Sequence, residues 1–401
     1  MRNVKSIIKN FIGFMVVLLA ILIWLPTIVR HVSDFFVDKK KAIVMDTKVG
    51  SQHCVVTVFV HGTILRYVSP ITLMQVLKEN KEYTKEQRGL LSTYKDSLRS
   101  SGLYRLQPIQ KKGFVPIVPL SDIETKDKFY ISSFTADLFQ DVNRLVKNED
   151  EKDKKYFYTF GWSGHLSFQS RYKASEVLYD GIIKERDRLI EETGLPVKIK
   201  IFAHSHGGNV ALHLAELEDK YNKNLTLSKL VLLGTPIQSE TERLIFHPTF
   251  KRIYNIYSLG DHIQVADLIS TKDFFSRRKF GGEKSVLKSL PENLSQIEIQ
   301  VGDYHLFHAE LWLFGILKSP NFFYRKKLDI YPLPVLVFAP IIAELADSVL
   351  EDSGDIKVHI KKTEKACEFT VLSKDKKNKF ASITKEIDIK GLKDRAFELL
   401  T

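Results

Sequence analysis

From Cys54 onward the chain alternates between two hydrophobic rhythms. Short and nearly unbroken apolar runs recur as "CVVTVFVHG", "KKYFYTFGWSG", "VKIKIFAH", "LSKLVLLGTPI", "KRIYNIYSLGD" and "LSQIEIQVGD". Runs of this length, closed by Gly, Asp or His, read as strands buried on both faces. Between them the apolar positions recur at helical spacing. Ala174, Val177, Leu178, Ile182 and Leu189 form one stripe within Lys173 to Glu192, an amphipathic helix. Further helices are expected from about Gly208 to Leu217 and from "FHAELWLFG" onward. Strands alternating with helices predict an α/β fold around a mostly parallel central sheet.

Three regions break the alternation. Residues 64–155 are charged and polar, with "NEDEKDKK" near their end, and read as an insertion that caps a site or decorates the surface. Residues 321–401 read as a C-terminal extension. It opens with "IYPLPVLVFAPIIAEL", whose Pro332, Pro334 and Pro340 argue against a regular membrane-spanning helix. A segment lying in a membrane interface or packed on the main domain fits it better. The following "ACEFTVLSKDKKNKFASITKEIDI" reads as two strands joined by a polar turn.

The third region is the first thirty residues. Phe11 to Val29 carry no charge and are long enough to cross a hydrocarbon core as a helix. No A-x-A-like cleavage site follows, so residues 1–30 are expected to be an uncleaved membrane anchor. Basic residues flank both sides, Arg2, Lys5 and Lys9 before and Arg30 and Lys39 to Lys41 after, which leaves the orientation open. The main domain is then residues 31–320.

Composition changes this picture little. The 401 residues are 44% apolar and 27% charged, as in a folded globular protein. The formal charge of +12 reads as a lysine-rich solvated surface. No arginine-rich block interleaved with aromatics and no nucleic-acid module accompanies it, so no nucleic-acid partner is expected. Cys54 and Cys367 are the only cysteines, too few for a disulfide framework or a zinc cluster.

The chemistry is concentrated at "KIKIFAHSHGGNVALHLAEL", residues 198–217, where a strand runs straight into a helix with Ser205 at the corner. A serine hydroxyl is a poor nucleophile until a base removes its proton, so it must be exposed within reach of an imidazole. A tight strand-to-helix turn presents it, given small residues two before and two after; here these are Ala203 and Gly207. A helix N-cap is the plainer role for such a serine. Ser163 in "FGWSGHLS" lacks this spacing and is a decoy.

An acyl-transfer site also needs aligned amides for the oxyanion. One should come from His206, directly after the nucleophile, and another from Thr63, behind the turn that "VFVHGT" allows. His61 in that loop reads as a buried histidine fixing it by hydrogen bonds. The acid should follow next in the chain, and Asp261 lies in a turn after "RIYNIYSLG", with Asp267 as the fallback. The base should follow the last strand. "VGDYHLFHAELW" offers His308, preferred by position, and His305. His204 and His206 raise a zinc reading, but no acidic or cysteine partners lie nearby, and no metal is expected.

The motifs "VFVHGT", "FGWSG", "AHSHGGNVAL", "LVLLGTPI" and "SLGDHIQVAD" resemble the α/β-hydrolase superfamily, within it the serine lipases and esterases, over about residues 52–315. The resemblance implies a Ser-His-Asp triad, an acyl-enzyme intermediate, no cofactor and mostly carboxylic-ester substrates. With the anchor, it implies a lipid or acyl-ester substrate at a membrane. The rival expectation is a catalytically inactive, membrane-tethered scaffold of the same fold. Oligomeric state is left open.

Overall fold

A computed structural model of the chain describes residues 52–63, 106–145, 152–165, 167–265, 276–282, 285–315, 328–349, 354–364, 366–374 and 380–400. The expected anchor over residues 1–30, the first part of the expected insertion and Asp267 lie outside the described residues. Among the described residues no helix is long and apolar enough to cross a membrane.

The apolar runs form the strands expected of them: β1 (Cys54–Val60), β3 (Lys154–Gly161), β4 (Val197–His204), β5 (Leu227–Leu233), β6 (Ile253–Tyr257) and β7 (Leu294–Val301). Four more join them: β2 (Gly113–Pro116), β8 (Gly354–Lys362), β9 (Cys367–Lys374) and β10 (Phe380–Ile387). All ten lie in one sheet of order β10-β9-β8-β7-β6-β5-β4-β1-β3-β2. The pairings from β3 through β8 are parallel. β2 at one edge and β9 near the other are antiparallel to their neighbours.

A parallel sheet must be covered on both faces. One face carries Phe59, Phe202, Val231, Ile256 and Ile299, under α1 (Tyr130–Arg144) and further C-terminal elements. The other carries Val58, Val60, Ile201, Leu230 and Leu232, under α2 (Phe168–Thr193), α3 (His206–Leu212) and α4 (Leu214–Tyr221). Neighbours such as Val58 and Phe59 go to opposite faces, as the two-residue period of a strand requires. α2 starts where the Ser167 side chain accepts from the Ser170 amide, and it stops at Gly194, whose φ of 67° suits glycine.

Four readings change. The later part of the expected insertion is structural: β2 extends the sheet, and α1 buries Phe134, Leu138, Phe139 and Val142. The helix expected over Gly208 to Leu217 is two helices separated by His213, whose buried ring bonds Glu216 at 2.7 Å. The helix expected at "FHAELWLFG" is a single 3-10 turn, His308–Leu311.

The fourth change is the largest. The C-terminal extension is continuous with the sheet, since β8 pairs with β7 and carries β9 and β10 in turn. Its apolar stretch forms α5 (Val335–Val349), with Pro340 inside and residues 335–346 all buried. It therefore packs on the domain and leaves no apolar face for a membrane interface. α6 (Lys390–Leu400) closes this side, its Arg395 paired with Asp137 and Asp141 of α1.

The chain leaves β1 for β3 on one side, then crosses back to β4 on the other. In open α/β sheets the crevice beyond the C-terminal ends at such a reversal is where ligands bind. Here that crevice lies beyond β1 and β4.

Candidate active site

β4 ends at His204 and α3 begins at His206, so Ser205 makes the whole corner, at φ 52° and ψ −133°. The residue is 5% exposed, buried where the sequence predicts an exposed serine. A non-glycine residue with positive φ is strained and persists only where its surroundings hold it. The Ser205 amide donates to the Leu233 carbonyl at 2.9 Å, and the Ser205 carbonyl accepts from the Gly208 amide at 2.9 Å. Two glycines are fixed by close approach. A Cβ on Gly62 would stand 2.5 Å from the Ser205 Cβ, and one on Gly207 would stand 2.5 Å from the His61 carbonyl oxygen. The loop after β1 and the start of α3 thus press on the corner from both sides.

That loop is held by His61. Its Nδ1–H donates to the Gly62 carbonyl at 2.6 Å and its Nε2 accepts from the Trp162 amide at 3.0 Å. The Trp162 indole donates to the His61 carbonyl at 2.7 Å, with the two rings stacked 5.7 Å apart. This pattern selects the neutral Nδ1–H tautomer. Thr63 follows directly, next to the corner through Gly62. Its hydroxyl is buried with no hydrogen-bond partner among the described residues. Ser163 stands apart on the loop after β3, its hydroxyl 3.5 Å from the His165 amide.

Asp261 lies in the turn after β6, where its amide donates to the Ser258 carbonyl. Its side chain is fully buried. Oδ1 accepts from the Gln264 amide at 3.0 Å, and Oδ2 bonds the His308 Nδ1 at 2.7 Å. The turn sits tightly on the base loop: a Cβ on Gly260 would stand 2.4 Å from the His305 carbonyl oxygen. The pair also lies against the end of β5, because a Cβ on Gly234 would be 2.9 Å from Asp261 Oδ2 and 3.2 Å from His308 Nδ1. The end of β5 thus touches the serine corner through Leu233 and the Asp261–His308 pair through Gly234.

The two histidines of the base loop differ. His308 meets Asp261, whereas the Nδ1 of His305 is buried with no partner among the described residues.

His204 escaped the sequence reading except as half of a zinc pair. Its Nε2 lies 3.1 Å from the His308 carbonyl oxygen, and its ring stacks on Trp312 at 5.4 Å with planes 10° apart. Burial, reinforced by the neighbouring His308, holds its pKa well below the usual histidine value, so it is neutral. The strand period was the available signal, since it places His204 on the face of Phe202, where Trp312 also lies. Among the described residues no group of three or more His, Cys, Asp or Glu side chains could hold a metal ion.

Apolar residues flank the pair. Leu259 and Ile263 beside Asp261, and Phe307 beside His308, are 44%, 58% and 39% exposed. A small pocket beside the His308 turn is lined by Leu306, Glu310, Leu313, Ile330, Tyr331 and Leu333 among others.

No family model matches the chain, and no curated protein matches it. Solved structures do. The lin2722 gene product of Listeria innocua is similar at 13% identity and a TM-score of 0.28, over 69% of this chain and 92% of that one. A Lactobacillus plantarum WCFS1 protein assigned as a cell surface hydrolase gives 9% and 0.23, over 78% and 83%. The Tle1 effector bound to the VgrG spike of the type 6 secretion system gives 10% and 0.30, over 71% and 55%. With its serine corner at the end of a parallel sheet and the chain order Ser, Asp, His, the domain resembles the α/β-hydrolase superfamily.

Proposed function

We propose that the chain is a serine hydrolase of carboxylic esters, with Ser205, His308 and Asp261 as its triad. The observation that carries this reading is the 2.7 Å bond between buried Asp261 and His308, beside a serine held at positive φ. Asp261 keeps the proton on His308 Nδ1, leaving Nε2 free to act as base. Nε2 takes the Ser205 proton as the oxygen attacks the acyl carbonyl. The amides of Thr63 and His206 hold the resulting oxyanion, a donor of this kind contributing about 3 kcal/mol. His308 then gives its proton to the departing alcohol, and an acyl-Ser205 ester remains. Water, deprotonated by His308, releases the acid and restores the serine.

Lipid or acyl-chain esters are the substrates we favour. The exposed Leu259, Ile263 and Phe307 would suit an apolar acyl group beside the reacting bond. The uncharged Phe11 to Val29 stretch would keep the domain at a bilayer.

The test is fluorophosphonate labelling with a panel of short- and long-chain esters, phospholipids and thioesters, run on wild type and Ser205→Ala. Wild type should label and turn over esters, preferring longer chains. The variant should not label, and its turnover should fall by about 10⁵- to 10⁶-fold. A folded wild type that neither labels nor hydrolyses any member of the panel would leave the tethered-scaffold reading in its place.

A further inference from the structure

We propose that His204 is a positioning residue which ties the loop carrying His308 to the strand carrying Ser205. The proposal rests on the triad reading above and adds a part that the triad does not contain.

A base on one loop and a nucleophile on another need their separation fixed. Asp261 fixes the rotation of the His308 ring, but it belongs to a third segment, the turn after β6. His204 belongs to the corner's own strand, being covalently next to Ser205. Its Nε2–H donates to the main-chain carbonyl of His308 at 3.1 Å, so the base loop hangs from the residue preceding the nucleophile. The ring cannot swing away. Trp312 stacks on it, and the Trp312 indole donates to Gln107 Oε1 at 3.0 Å, fixing the stacking surface in turn. On another side the His308 ring lies 4.5 Å away, centre to centre. Gly62 comes so close that a Cβ there would stand 3.1 Å from His204 Nδ1.

Charge completes the fit. The bond to the carbonyl requires a hydrogen on Nε2, which the neutral Nε2–H tautomer supplies. Burial disfavours a charge on His204 most strongly, and the His308 ring, His61 and His206 add to it, outweighing the His308 carbonyl, which favours the charge. A neutral ring beside His308 does not repel the imidazolium that forms there during the reaction. A fixed ammonium or guanidinium in its place would.

Three variants separate this role from plain packing. H204F keeps a ring against Trp312 and loses the donor. H204N keeps polarity but is too short to reach the carbonyl. H204Q loses the ring and keeps a donor at the right reach. The readouts are the second-order rate constant for fluorophosphonate labelling, kcat and KM for an ester, and the melting temperature. H204F and H204N should label and turn over about 100-fold more slowly, with KM within twofold of wild type, as for a reacting pair held out of line. H204Q should recover to within about tenfold of wild type, even where its melting temperature is the lower one. If H204F does not fold, H204N against H204Q makes the same comparison. Wild-type rates in H204F or H204N, or an H204Q as slow as they are, would overturn the proposal. A wild type that does not label would remove the triad reading, and this one with it; a wild type that labels leaves His204 to be judged alone.

Discussion

The corner where β1 and β4 end and the far half of the sheet from β7 to β10 are buried alike, yet they are built to opposite rules. At the corner the buried side chains are His61, His204, Ser205, His206 and Asp261. In the far half they are Val358, Ile360, Phe369 and Val371, covered by Phe338, Ile341 and Leu345 of α5. A buried polar group costs about 1–3 kcal/mol unless a partner replaces its water, whereas apolar groups gain by burial itself. His61, His204 and Asp261 accordingly have specific partners. The far half relies on area and contact, as where Phe338 meets Phe369 at 5.4 Å between ring centres. One region is held by specific polar partners and the other by apolar cohesion.

The largest expected break in that contrast is Asp261→Asn. It preserves volume but lets His308 adopt the wrong tautomer, so kcat for an ester should fall about 10⁴-fold while the melting temperature changes little. A variant with undiminished turnover would show that the corner's polar network is merely structural. Phe338→Ala should do the reverse. Denaturant unfolding should show a loss of about 3–5 kcal/mol, with kcat per folded molecule unchanged. A matching fall in kcat would mean that the two regions are coupled.

A smaller effect sharpens the comparison through pH. In the unfolded chain His204 titrates near its ordinary value of about 6.5. In the folded protein burial holds it well lower, with His61, His206 and His308 as the titratable neighbours. Its contribution to stability is thus fully present above about pH 6.5 and is lost as pH falls toward the folded value. The loss is at most about 1.4 kcal/mol per pH unit. Denaturation curves at pH 7, 6 and 5 should show a steeper acid decline in wild type than in H204Q. Parallel declines would mean that His204 is already charged when folded.

The central strands were legible because burial on both faces leaves an unbroken apolar run, which few other elements produce. The strand-to-helix corner at Ser205 was legible because such a turn tolerates only small neighbours at fixed offsets. Asp261 and His308 follow it in the chain order expected, and the structure brings those two into contact. α1 was missed although Phe134, Leu138 and Val142 keep helical spacing, because charged neighbours on both sides masked a short apolar stripe. The place of β8 to β10 was hidden for a different reason. Ile356, Val358 and Ile360 alternate with polar residues, which marks a strand but not the sheet it joins. The His204 contact could not be read from residue identities, since its partner is a main-chain carbonyl that every residue possesses.

The backward twist at Ser205 has a further consequence. Glycine would occupy φ 52° without steric conflict, so the serine is there at the fold's expense. Ser205→Gly should yield a protein about 1 kcal/mol harder to unfold and chemically inert. Screening such chains for thermal endurance alone would therefore favour loss of the side chain on which the proposed chemistry depends.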